Sequence, residues 1–313
     1  MKIGEFYDPR KTFGKAVTEV ALKDERIVLF SADSGKSSGF GEFMKACPER
    51  YFECGIAEQG AVGMAAGMAT AGQIPVFCAI APFVTCRPYE MVRNDVGYMQ
   101  QNVKIVGRNG GITYSDLGAT HQSLEDFSII RMIPGITILA PQDPVEIVKA
   151  SQAMINYDGP VYMRIGNPKI PVLFDENTPF EIGKGKLIRE GSDITVISTG
   201  STTVDTIKAC DALEETGISV EHIGLPTVYP LDEELIKASA NKTGKILTVE
   251  EHYVDGGMGT LVTELMSETP NVIVRRHGIP KCYATNGPYD EILAYYDLDA
   301  AGIEKTIRKF INN

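Results

Sequence analysis

Short apolar runs, each followed after a turn by an amphipathic stretch, recur along the whole chain. Ile27-Val28-Leu29-Phe30, Ile74–Ala79, Val103-Lys104-Ile105-Val106-Gly107, Thr137–Ala140 and Val161–Ile165 are apolar on successive positions rather than alternate ones. That is the pattern of strands buried on both faces. Helical periodicity at Thr12–Leu22, Tyr89–Gln100, Ser123–Met132 and Pro144–Ile155 separates them. Buried strands alternating with helices predict a mostly parallel α/β sheet covered on both sides. From Asn167 to Asp193 the periodicity lapses into turn signals, among them Asn167-Pro168, Pro171 and Thr178-Pro179. The alternation then restarts, with strands expected at Ile194–Ser198, Ser219–Gly224, Lys245–Val249 and Asn271–Val274. Helices are expected at Thr202–Thr216, Asp232–Ala240, Gly259–Ser267 and Ile303–Phe310. The reading is two α/β domains, 1–170 and 191–313, joined by a linker over 171–190. A length of 313 residues exceeds the usual size of one core and agrees with it.

Charge and composition exclude several functions. Lys and Arg number 30 against 41 Asp and Glu, a net charge of −11 with no basic cluster, which argues against nucleic acid or an anionic membrane as partner. The opening residues, MKIGEFYDPRKTFGK, lack the apolar stretch of a signal peptide, and Gly60–Gly72 is too short and glycine-rich to span a bilayer. The six cysteines form no C-x-x-C pair and the four histidines lie far apart. Neither a zinc site nor a disulfide framework is expected, and a reducing cytoplasm fits.

Two nucleotide-binding patterns are approached and missed. Gly35-Lys36-Ser37 follows a strand, but the phosphate-loop motif needs glycine where Phe30 stands. Gly256-Gly257-Met258-Gly259 lacks the third glycine of a dinucleotide fingerprint, since that position is Val262, so a tight strand-to-helix turn is expected. No G-x-S-x-G elbow is present, and Cys86 beside Arg87 reads as a buried structural thiol. Two segments carry more chemistry. Glu58 is the one acid in Gly55-Ile56-Ala57-Glu58-Gln59 and the small-residue run Gly60–Gly72. It reads either as a first-turn acid favoured by the helix dipole or as a poised, partly desolvated acid beside a closely approached ligand. In Gly118-Ala119-Thr120-His121-Gln122-Ser123-Leu124-Glu125-Asp126, Ser123 is expected to cap a helix with Asp126 completing a box. His121 then stands in a capping loop, with one face open to solvent or to a ligand.

Taken together, these segments resemble the thiamine-diphosphate-dependent transketolase family, specifically the C-terminal subunit of a split transketolase. The resemblance rests on Ser31-Ala32-Asp33, Arg50-Tyr51-Phe52, Gly55–Gln59, Phe83 with Arg87, Gly118–Gln122 and Gly159-Pro160-Val161-Tyr162. In the second half, Val249-Glu250-Glu251-His252 and Gly256–Gly259 also match. It implies that Glu58 hydrogen-bonds N1′ of the cofactor's aminopyrimidine, helping the 4′-nitrogen to take the thiazolium C2 proton. Phe83 would stack on the pyrimidine, with Ile56 and Asp33 also on the cofactor side, and His121 would face the reacting carbons. Family members bind Mg²⁺ and the diphosphate through a Gly-Asp-Gly motif that occurs nowhere here. A separate N-terminal subunit is therefore implied, with the site between chains in a symmetric heterotetramer and self-association through Gly60–Gly72.

Departures bear on the sugar substrate. Arg10 and Ser37 fall where the family holds a terminal phosphate, but the other two positions are Asn109 and Asn167 instead of His and Arg, and Leu117 replaces an Asp that reads an acceptor hydroxyl. Fewer cations and a side chain unable to hydrogen-bond predict a substrate pair other than the usual pentose phosphates, such as one bearing a sulfonate. The alternatives are the β subunit of a 2-oxo acid dehydrogenase and a non-catalytic partner chain. The second domain shows no motif of its own and reads as dimer support.

Overall fold

A computed structural model describes residues 1–312. In chain order the strands are β1 (Phe6–Tyr7), β2 (Ile27–Ser31), β3 (Tyr51–Glu53), β4 (Ile74–Ile80), β5 (Lys104–Arg108), β6 (Thr137–Leu139) and β7 (Val161–Arg164). The remainder are β8 (Ile170–Pro171), β9 (Lys186–Arg189), β10 (Ile194–Ser198), β11 (Val220–Gly224), β12 (Thr227–Tyr229), β13 (Lys245–Tyr253) and β14 (Ile273–Ile279). The first helices are α1 (Pro9–Ala21), α2 (Gly41–Ala46), α3 (Glu58–Thr70), α4 (Ala81–Thr85), α5 (Tyr89–Met91) and α6 (Asp126–Ile130). They continue as α7 (Pro144–Asn156), α8 (Thr202–Glu214), α9 (Glu233–Thr243), α10 (Met258–Met266), α11 (Tyr289–Tyr295) and α12 (Ala300–Ile311).

One sheet runs β12-β6-β7-β5-β4-β2-β3 and the other β14-β13-β10-β11-β9. Every pairing within them is parallel except β12 on β6 and β9 on β11, at the edges. The α/β class read from the sequence is thus the observed one. Local chemistry starts the helices: Asp143 caps α7 before Pro144, where expected, while α1 is capped by Asp8 and begins at Pro9, ahead of the expected Thr12.

The two halves interlock more than a linker implies. β12 comes from the second half yet completes the first sheet, and β9 lies inside the expected linker yet edges the second. A continuous apolar cluster joins Phe30, Phe77, Ile105 and Phe127 to Ile197, Ile223, Val228 and Met258. Two helical expectations change in form. Tyr89–Gln100 is only briefly α-helical and winds as a π-helix over Val92–Tyr98. The helix expected from Ser123 starts at Asp126 with no side-chain cap. Ser123 is held instead by paired backbone hydrogen bonds with Gly111, at 3.0 and 2.8 Å, so it cannot turn its backbone into a cap. The Gly256–Gly259 turn does link strand to helix, and the buried Glu250 carboxylate accepts from Met258 N and Gly259 N, at 2.7 and 2.8 Å.

Candidate active site

Nearly all the candidate residues sit in loops that follow the C-terminal ends of parallel strands, where ligands of open α/β sheets bind. Asp33 and Ser37 follow β2, Ile56 and Glu58 follow β3, Phe83 follows β4, Asn109, Leu117 and His121 follow β5, and Asn167 follows β7. Arg10 reaches the same edge from the first turn of α1. A close crossing places it there: a β-carbon at Gly14 would collide with the Gly39 carbonyl, so glycine lets α1 lie against the loop after β2.

Glu58 opens α3 and is 2% exposed. Arg87 donates from Nη1 to Glu58 Oε1 at 2.6 Å, while Oε2 is buried with no partner among the described residues. An unsatisfied buried carboxylate oxygen in a first helical turn is costly, and it fits a donor that arrives with a ligand. The Arg87 guanidinium also lies over the Phe83 ring, 3.9 Å from its centroid. Phe83 and Tyr114 flank His121 edge-on, at 5.2 and 5.4 Å between ring centres. Thr120 Oγ1 engages His121 Nδ1 at 2.9 Å, leaving Nε2 without a partner among the described residues. Glu58, Arg87, Phe83, His121 and Tyr114 thus form one chain of contacts. Ile56, at 75% exposure, and Leu117 are large apolar side chains left open beside it. Asp33 is exposed, at a backbone φ of 51° held by a hydrogen bond from its own N–H to Glu53 Oε1 at 2.6 Å.

A second group gathers Arg10, Ser37 and Asn109 around Arg108, which lies just past the strand expected to end at Gly107 and is the last residue of β5. Its Nη2 donates to Ser37 Oγ at 3.0 Å and its Nη1 to Asn109 Oδ1 at 3.1 Å. Arg108, itself buried, thus stands beside Asn109 and is bonded to it. Asn167 lies apart and donates to Thr113 O at 3.4 Å.

The second domain is more than support, because it clamps the loop that carries His121. Gly287 N donates to Ser115 O at 3.2 Å and Gln122 Nε2 to Thr285 O at 3.0 Å. The Glu251 carboxylate, wholly buried, accepts from Ile112 N at 2.6 Å, Ser201 Oγ at 2.5 Å and Tyr289 Oη at 2.9 Å. Alongside it Asp126 takes Tyr162 Oη at 2.7 Å and Arg164 Nη1 at 3.1 Å. Asp126 is therefore held within the first domain by two residues of β7 and is not part of a capping box. Cys86 is also corrected. It is exposed at the surface, its thiol donating to Glu125 Oε1 at 3.4 Å, and partial burial with that carboxylate raises its pKa to about 12. Among the described residues all six cysteines are free, no group of acids, cysteines and histidines is arranged to hold a metal, and no helix is long and apolar enough to cross a membrane.

Residues 7–171 match the transketolase pyrimidine-binding domain and residues 183–303 the transketolase C-terminal domain. The chain belongs to the transketolase family. It is 40% identical to one of the subunits of the apulose-4-phosphate transketolase of Phocaeicola vulgatus, over 96% of this chain and 97% of that one. It is 37% identical to a 6-deoxy-6-sulfo-D-fructose transketolase subunit of a Clostridium species, over 94% of this chain and 91% of that one. A solved split-gene transketolase, an inactive β4 tetramer, superposes with a TM-score of 0.91 at 34% identity, over 97% of this chain and 98% of that one. The transketolase reading thus prevails over the 2-oxo acid dehydrogenase alternative.

Proposed function

We propose that this chain is the pyrimidine-binding and C-terminal subunit of a two-chain transketolase that moves a two-carbon ketol unit from an anionic ketose to an aldehyde. The observation that carries the proposal is Glu58 Oε2, buried and unpartnered while Oε1 is held by Arg87. Thiamine diphosphate, when bound, supplies a nucleophilic carbon and an electron sink for the transferred fragment. Glu58 holds the proton at the pyrimidine N1′ through Oε2, and Arg87 fixes the carboxyl's orientation. Phe83 and Ile56 give that ring an apolar wall, with Asp33 at its edge. The free Nε2 of His121 meets the substrate oxygens next to the reacting carbons.

Mg²⁺ and the diphosphate are assigned to a separate N-terminal subunit, because this chain has no Gly-Asp-Gly and no metal-ligating group among its described residues. Self-association is assigned to the outer face of α3, where Met64 is exposed and Gly60 and Gly67 have open space in place of a β-carbon. That a β4 assembly of a split-gene relative is inactive fits a heterotetramer as the working form. The names of the relatives fit a donor ending in phosphate or sulfonate. Free thiols fit the cytoplasm. The test is ketol transfer by this chain alone and mixed with its N-terminal partner. Activity is expected only in the mixture, and turnover by the single chain would overturn the division of the site.

A further inference from the structure

The sequence holds no run of basic residues, yet the fold collects lysines from three segments around one hollow. It measures about 730 Å³ and lies between α1, α7 and the segment around β8, and none of the candidate active-site residues lines it. Helical spacing builds its walls. Lys11, Lys15 and Glu19 follow one another at four-residue steps, so they share one face of α1 with Thr12, while Val145, Val148, Lys149 and Gln152 share one face of α7. The two helices meet elsewhere, in the buried cluster that holds Phe13, Val17, Ile147 and Ala150.

The acids at the rim are already engaged. Asp8 accepts from the Arg10 guanidinium at 3.0 Å, Glu176 from the amine of Met1, and Glu19 lies 3.8 Å from the Lys15 ammonium. Three lysines are left over. Lys149 donates to the Thr178 carbonyl, and the ammonium groups of Lys11 and Lys169 have no hydrogen bond or ion pair among the described residues. This is a local surplus of positive charge in a chain whose net charge is −11. The rest of the wall is mixed. Val145 and Val148 supply apolar surface, and Phe6, 62% exposed, adds a ring at the edge. Thr12 is only 7% exposed, yet it lines the hollow and its hydroxyl has no hydrogen-bond partner among the described residues. A hydroxyl in such a place is satisfied by what enters the hollow.

We propose that this hollow binds an organic polyanion of nucleotide size. Its charged groups lie against Lys11, Lys149 and Lys169, and its apolar or aromatic body against Val145, Val148 and Phe6. The volume is within the range of roughly 300–1,000 Å³ usual for small-molecule sites, and an inorganic ion would fill only a small part of it. The assignment stands independently of the ketol-transfer reading.

The experiment is calorimetric titration of the full chain at low salt with ADP, inorganic pyrophosphate and adenosine. Wild type is expected to bind ADP saturably, with pyrophosphate and adenosine each weaker by at least roughly tenfold, because each keeps only part of the recognition. Lys11→Glu/Lys169→Glu should weaken ADP binding by at least roughly tenfold, as should raised salt in wild type. Both lysines are exposed and unpaired, so the variant should melt as wild type does. Thr12→Val keeps the shape, removes the hydroxyl and should cost roughly three- to tenfold in affinity. Ser37→Ala, outside the hollow, should bind ADP as wild type does. The proposal falls if wild type binds no ADP at millimolar concentration, if the double lysine variant binds it undiminished, or if Ser37→Ala abolishes binding. Equal affinity for pyrophosphate would reduce the hollow to a charged surface and equal affinity for adenosine to an apolar one, and either result overturns the assignment.

Discussion

Replacing Glu58 by Gln separates chemistry from scaffolding, because its effects on stability and on rate differ widely in size. The Arg87–Glu58 contact is short at 2.6 Å, but the arginine side chain is 37% exposed and the pair is screened on that side. An ion pair of that kind is worth about 1 kcal/mol, and glutamine keeps the shape and one acceptor oxygen for Arg87. For a chain of this length that loss lowers the melting temperature by roughly 1–2 °C. The rate is another matter, since an amide cannot exchange the proton that the orphaned Oε2 is placed to share. A positioned proton-transfer group contributes about 10²- to 10⁴-fold, or about 3–5 kcal/mol of barrier. The assay is steady-state ketol transfer by the assembled complex, with melting temperature and sedimentation run on the same preparation. The expected outcome is an intact complex with a kcat lower by at least two orders of magnitude. A kcat within threefold of wild type, with assembly unchanged, would refute the proton role and leave the chain a scaffold.

Other substitutions probe the rest of the site. His121→Phe preserves the ring contacts with Phe83 and Tyr114, so melting should be unchanged while kcat/KM falls about 100-fold; equal kinetics would make His121 a packing residue only. Glu251→Ala orphans Ile112 N, Ser201 Oγ and Tyr289 Oη, each at about 1–3 kcal/mol, and should speed hydrogen exchange across residues 110–124; unchanged exchange there would contradict the clamp. Glu146 is buried against Lys186, and burial raises its pKa from 4.5 to about 7. The folded state therefore holds a proton that the unfolded chain has released, and its stabilising contribution is lost as pH rises from 4.5 to 7. Glu146→Gln should accordingly gain on wild type across that window by at most about 3 kcal/mol, which denaturant titration at several pH values checks; a constant difference would argue against it. Gly14→Ala should push α1 away from Gly39, cost about 1–3 kcal/mol and weaken phosphate binding through the displaced Arg10; wild-type values for both would reject that crossing as the positioning device.

Much of this molecule is legible without coordinates because its signals are local. Successive apolar residues name β2, β4, β5 and β10, and Pro144 opens a helix where its periodicity begins, since burial on both faces and helix initiation act over a few residues. Glu58 stands out for a local reason too, a single charge among alanines and glycines. What stays hidden depends on which distant segments meet. β12 carries no strand signal in the sequence and β9 reads as linker, because edge strands draw their stability from a partner in another part of the chain. Asp126 offers itself as a capping acid, but its carboxylate is taken up by Tyr162 and Arg164 arriving from β7, with only the N–H of the next residue, Phe127, as a local donor. The apolar run of β5 conceals Arg108 because a strand residue's charge balance is settled across the sheet and not along it. Sequence alone determined the α/β layering, the family and the acid at the head of α3. Only the tertiary structure decided that Oε2 of that acid is unpartnered and that a buried arginine lacks a counter-ion, because the presence or absence of a partner depends on every chain segment that packs nearby.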